Sequence, residues 1–167
     1  MTSSKYLLLL LLTLSACSIR YRFNAAAIDY NLISSISIGD FPNRAALVYP
    51  PLSALLAEQM KDKFVTKTRL NLVTQDGDLT IEGDITAYQL TPTAVKEDAW
   101  ASETRLTLTV LIRFTNKKNP DKDFERNFSA YREFSATSML TEVESQLCQE
   151  IVEEIVDAVF NATVADW

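Results

Sequence analysis

The chain has 167 residues and a formal net charge of −6, with 47% hydrophobic and 23% charged residues and only three glycines and five prolines. That composition supports a packed core, argues against long disordered stretches, and makes nucleic acid a poor partner, because phosphate contact needs a basic face. Histidine is absent altogether, which removes Ser-His-Asp and Cys-His catalysis, HExxH zinc sites and the usual general base near neutral pH. A pair of catalytic carboxylates remains as the enzymatic option, but Asp and Glu alternate with apolar residues as solvated faces do. No enzyme, no metal site and no cofactor are expected.

Lys5 precedes an unbroken apolar run from Tyr6 to Leu12, too short to span a bilayer as a mature helix. It leads to Leu14-Ser15-Ala16-Cys17, the lipobox pattern at which the cysteine thiol is acylated and the peptide bond before it is cut. The competing reading is an ordinary secretory leader in which Cys17 is incidental. Under the lipobox reading, residues 1–16 are a cleaved leader, 17–30 a lipidated anchor and linker, and 31–167 one domain. Loss of Lys5 then takes the net charge from −6 to −7. Each buried acyl methylene contributes about 0.8 kcal/mol, so more than one chain on Cys17 makes a lasting anchor. Ser18 rather than Asp follows the cysteine, and no acidic cluster comes after it. The expected location is therefore the inner leaflet of the outer membrane, with the domain facing the periplasm. With Cys17 lipidated, Cys148 has no disulfide partner; set among Val143, Leu147, Ile151 and Ile155, it reads as a small buried hydrophobe.

Asn31–Ile38 is rich in β-branched residues and predicts a first strand, with Leu32, Ile36 and Ile38 on one face. After a loop at Phe41–Arg44, Pro50-Pro51 opens a helix, whose stripe is Leu52, Leu55, Leu56, Met60 and Phe64 opposite Glu58, Lys61 and Asp62. Leu70–Val73 leads into the turn dipeptide Asp76-Gly77. Leu79, Ile81, Ile85 and Ala87 then alternate with Thr80, Glu82, Asp84 and Thr86. The clearest strand places Leu106, Leu108, Val110, Ile112 and Phe114 inward and Thr107, Thr109, Arg113 and Thr115 outward. A charged hairpin loop, Asn116–Lys122, precedes a strand with Phe124, Phe128, Ala130 and Phe134 inside, although Arg126 and Arg132 share their parity. A second helix begins near Ser138, with Thr141 and Glu144 at capping-box spacing. Its stripe is Val143, Leu147, Ile151, Ile155, Val159 and Phe160, and its wet side Glu150, Glu153, Glu154 and Asp157. Strands with one polar face each predict an α+β two-layer sandwich: a mainly antiparallel sheet of four to five strands with two helices on one face.

Several segments in this order carry a resemblance. They are Ile38-Gly39-Asp40-Phe41-Pro42-Asn43-Arg44, the Pro50-Pro51 helix start, Gly77-Asp78-Leu79 leading into Glu82-Gly83, Leu106–Val110, Arg113-Phe114-Thr115-Asn116 and Phe160-Asn161-Ala162. In these the chain resembles the LptE family, lipopolysaccharide-assembly lipoproteins of Gram-negative outer membranes. The resemblance implies a non-catalytic protein that sits as a plug in a large outer-membrane β-barrel of the LptD type. There it would help the barrel assemble and assist delivery of lipopolysaccharide to the cell surface. A porin-like lumen is polar, so the uncovered sheet face, with Thr107, Thr109 and Arg113, is the candidate barrel-facing surface; plain exposure to solvent is the alternative. Lipopolysaccharide is anionic, which makes Lys117, Lys118 and Lys122 candidate charge-assisted donors, against the reading of a merely solvated loop. A different class of function, a free periplasmic lipoprotein carrying a small amphiphile between sheet and helices, requires a sizeable apolar cavity there.

Overall fold

The computed structural model describes residues 28–93 and 103–165. The chain order is β1 (Ser35–Ile38), α1 (Leu52–Lys67), β2 (Asn71–Val73), β3 (Leu79–Thr93), β4 (Glu103–Asn116), a 3₁₀ turn (Pro120–Lys122), β5 (Phe124–Ser135), α2 (Leu140–Phe160) and a terminal wide turn (Asn161–Ala165). One five-stranded sheet has the order β2-β1-β3-β4-β5. The long pairings β3–β4 and β4–β5 are antiparallel, as alternation implies, whereas β1 pairs in parallel with both β2 and β3. The α+β sandwich is therefore built on a mixed sheet. A crossover through α1 sets β1 and β2 parallel.

The two helices cover one face. In α1, Leu52, Leu56, Ala57, Met60 and Phe64 are buried at helical spacing, and the helix stops where Thr68 turns extended and its hydroxyl donates to the Phe64 carbonyl oxygen (2.7 Å). In α2, Leu147, Cys148, Ile151, Val152, Ile155, Val156 and Val159 are buried. Phe160 meets Phe64 edge to face at 5.1 Å, which joins the two helices near their C-terminal ends. Beneath them Ile81, Ile85, Leu106, Leu108, Val110 and Ile112 are shut off from water. Fully burying each such aliphatic side chain stabilises by about 1.5–3 kcal/mol. Cys148 is a buried free thiol whose pKa burial pushes up.

Two inward assignments and one cap differ from expectation. Leu32 is 61% exposed and Ile33 takes the buried place. The Asp29 carboxylate accepts the Asn31 backbone N–H (3.0 Å), and its carbonyl accepts those of Leu32 and Ile33 (2.9 Å each), so a turn delays β1 to Ser35. In β3 a bulge between Ile85 and Ala87 moves the inward parity by one, so Tyr88, 4% exposed, points inward where Ala87 was expected to. The capping box does not form: the N-cap is Met139, which puts Thr141 inside the first turn of α2, and the Glu144 carboxylate receives the Tyr88 hydroxyl (2.6 Å). The two arginines of inward parity on β5 have specific partners. Arg132 spans to Glu150 (3.1 Å) and Glu154 (2.7 Å) on α2, and Arg126 lies over the Phe124 and Phe128 rings at 4.4 and 5.3 Å.

The Asp76-Gly77 turn does not make a hairpin, since β1 lies between β2 and β3. Instead the chain crosses β1 at Gly77. A β-carbon there would collide with the Ser37 backbone nitrogen and, at 2.6 Å, with the Leu79 carbonyl oxygen. That crossing buries Ser37 on the otherwise open face. Asp76, with φ of 60°, takes the left-handed conformation.

Candidate interaction face

The uncovered side of the sheet is a polar ladder set by register. Glu82, Arg113 and Glu125 form one cross-strand row; Asp84, Leu111 and Asn127 the next; then Ala87, Thr109 and Ser129; Gln89, Thr107 and Tyr131; and Thr91, Arg105 and Glu133. Thr107, Thr109 and Arg113, the candidate barrel-facing residues, thus stand on one face, half-exposed, with the Leu111 row between Thr109 and Arg113. Thr109 and Ser129 share a hydroxyl hydrogen bond (3.0 Å). Arg105 lies 4.2 Å from the Tyr131 ring centroid and donates to Glu133 (2.7 Å).

The charge centre of the face is Asp84. Arg113 Nη1 donates to its Oδ2 (2.9 Å) and Arg44 Nε approaches its Oδ1 (3.4 Å). The hydrogen bond from Arg113 is the main force holding the Asp84 carboxyl below its ordinary pKa. Glu82 and Glu125 also act on Arg113, so the guanidinium sits amid three carboxylates. Sequence alone did not single out Arg44 or Asp84. The signals were that Arg44 closes the Ile38–Arg44 segment and that Asp84 stands among the polar residues alternating along β3.

The three candidate lipopolysaccharide-contacting lysines lie at the β4–β5 end of this face. Lys117 Nζ is 3.2 Å from Asp76 and Lys118 Nζ 3.3 Å from Asp78, with Lys122 on the intervening 3₁₀ turn. Asp78 is a hub: one carboxylate oxygen accepts the backbone N–H groups of Ser34 (2.9 Å) and Ser35 (3.2 Å) and both serine hydroxyls. The Ser34 amide, with the serine hydroxyls and Lys118, holds its pKa far below the carboxylate range. The loop is shaped by Asn116, whose side-chain oxygen accepts the Lys118 (2.9 Å) and Asn119 (3.0 Å) amides. A groove of about 640 Å³ runs beside it, lined by Ser37, Gly39, Lys61, Thr80, Glu82 and Lys117 among others. It is polar and open to solvent. Another groove, of about 600 Å³, lies on the outer side of the helix pair.

Cys17 lies outside the described residues. Among the described residues no group of three or more Cys, Asp or Glu side chains is placed to hold a metal, and no helix is long and apolar enough to cross a membrane.

A closed core lies under the two helices, and one broad polar face of the sheet is left open. The model of the LptE lipopolysaccharide-assembly family matches residues 33–163, and the chain belongs to that family. No curated protein matches. Among solved structures, a minor lipoprotein from Acinetobacter baumannii is 14% identical with a TM-score of 0.50, over 76% of this chain and 89% of that one. A hypothetical protein from Chlamydia trachomatis is 11% identical with a TM-score of 0.53, over 80% and 99%. A protein from Xanthomonas campestris is 11% identical with a TM-score of 0.52, over 77% and 84%. At such identities the likeness concerns the fold.

Proposed function

We propose that this protein is a lipid-anchored outer-membrane component that plugs and stabilises an LptD-like β-barrel and assists lipopolysaccharide transport and insertion at the cell surface. It acts by stoichiometric binding, without catalysis. The observation that carries this reading is the family match across 33–163. Two physical features agree with it. The ladder of hydroxyls, amides and charges from Thr80 to Glu133 suits a water-filled lumen. The space between sheet and helices is filled by side chains such as Leu56, Met60, Ile112 and Ile151, which takes the room an amphiphile carrier needs. Cys17 supplies the acylation point, and Lys117, Lys118 and Lys122 supply donors for glycolipid phosphates, Lys117 and Lys118 in exchange for their Asp76 and Asp78 partners.

The test is gentle detergent extraction of outer membranes, affinity capture of the chain, and mass spectrometry of what accompanies it. A large β-barrel in near one-to-one amount is expected, and the Cys17→Ala variant should lose metabolic labelling with a clickable fatty acid. Capture of the lipoprotein alone would sink the plug reading and bring the free-carrier reading forward.

A further inference from the structure

The Lys117 amide donates to the Asp78 carbonyl oxygen (2.9 Å), which turns the backbone groups of odd-numbered β4 residues toward β3 and of even-numbered ones toward β5. By the β4–β5 register, the odd-numbered residues of β5 (Glu125, Asn127, Ser129, Tyr131 and Glu133) aim their N–H and C=O groups away from the sheet. Among the described residues no strand pairs with that side. Arg132 Nη1 donates to the Tyr131 carbonyl oxygen (2.8 Å), which leaves Glu125–Ser129 as the clear stretch.

Exposed edges are usually blunted by brevity, proline, bulges or charged side chains, and of these β5 has only the charges, with Arg126 folded over the Phe124 and Phe128 rings and Arg132 turned to Glu150 and Glu154. The other edge, β2, has three residues; β5 has twelve, no proline, and an unbroken register with β4. Beside it Phe124, Phe128 and Phe134 remain half-buried on the helix side, with cover on one flank only. The charges disfavour one occupant, a second copy in full overlap. Phe124–Phe134 reads nearly the same in both directions about Ser129. A second copy pairing antiparallel in that full-overlap register sets Glu125 against Glu133 and Arg126 against Arg132 across the two-fold axis.

We infer that β5 is a docking edge that takes an extended segment of a different protein as a sixth strand. The segment alternates apolar side chains toward the phenylalanines with polar ones toward the open face. The inference rests on the proposed function, in that the segment belongs to the barrel partner.

The experiment uses the full chain in outer membranes, with a photo-crosslinking phenylalanine analogue at Asn127 and, as control, at Thr86 on β3 of the same face. It is paired with capture of the partner by Asn127→Pro, which deletes an outward N–H without touching the β4 ladder. Adducts from Asn127 to the barrel, with captured barrel reduced about tenfold in Asn127→Pro at unchanged melting temperature, are expected. If proline unfolds the chain, the contrast between the two sites decides: an Asn127 adduct without a Thr86 adduct supports the edge, and equal adducts from both overturn it in favour of contact through the open face alone. A wild type that captures the barrel while Asn127 gives no adduct to it overturns the docking edge and leaves the plug standing. An Asn127 adduct joining two copies, or reaching another part of its own chain, also overturns the edge. A wild type that captures no barrel removes the plug reading and this inference with it.

Discussion

On the helix side of β4, Leu106, Leu108, Val110, Ile112 and Phe114 are almost wholly buried; one residue along, on the open side, Thr107, Thr109 and Arg113 remain half-exposed. The same backbone serves two kinds of energetics. Each inward side chain contributes on the order of 2 kcal/mol through burial, whereas an exposed ion pair contributes about 0–1 kcal/mol. Stability is therefore concentrated on one face, and the other is left to be shaped by what it contacts.

The largest separation between the two faces should come from placing the same charge on adjacent residues. Leu108→Asp buries an unpaired carboxylate between sheet and helices and should cost more than about 5 kcal/mol, enough to abolish folding. Thr109→Asp, one position along, should move the melting temperature by no more than a few degrees. Circular-dichroism melts of the pair decide it. A folded Leu108→Asp with an unchanged melting curve would mean that the faces are reversed.

The alternation on β4 made that contrast readable in the sequence, because a strand that keeps one register repeats its message five times. Tyr88 was unreadable for the opposite reason: the bulge before Ala87 changes parity without any glycine or proline to announce it. Leu32 was lost to a turn made by the Asp29 side chain, which competes locally with strand pairing. Glu144 had capping-box spacing from Thr141, but the N-cap is Met139, and the Glu144 carboxylate receives the Tyr88 hydroxyl from 56 positions away. Some of the segments that suggested the family prove to be turn and crossing residues, while Leu106–Val110 and Arg113–Asn116 lie within β4. Gly77 passes over β1, Asp78 gathers Ser34 and Ser35, and the Asn43 side chain accepts the Ala45 amide (2.8 Å). The open face itself was legible in Thr107, Thr109 and Arg113. Its centre at Asp84 was not, because a diagonal pair across β3 and β4 depends on a register that no single strand specifies.

An intermediate effect is expected where the faces meet, at the edge hub. Asp78→Asn weakens charge-assisted hydrogen bonds that tie the start of β1 to β3 and to Lys118, at about 2 kcal/mol at neutral pH. The folded-state pKa is depressed, so the contribution is present above the unfolded carboxylate value near 3.9 and is lost as pH falls through and below it. Chemical-denaturation midpoints of wild type and Asp78→Asn should thus differ at pH 7 and converge in strong acid. A gap that stays constant with pH would show that Asp78 acts through shape and not through charge.

The smallest effect on stability should carry the greatest functional information. Arg113 is held by Asp84 at the surface, and Arg44 still reaches the same carboxylate. Arg113→Ala should therefore hardly move the melting temperature. It also leaves Glu82, Asp84 and Glu125 facing outward with less cationic compensation, a local field that any apposed surface must meet. If the face lies against a barrel wall, capture of the barrel from membranes should fall markedly in Arg113→Ala and less in Arg44→Ala, since Arg44 is the more exposed of the two arginines. If both variants melt and bind as the wild type does, the face meets only solvent. The contrast between the two sides of the sheet would then be one of stability alone.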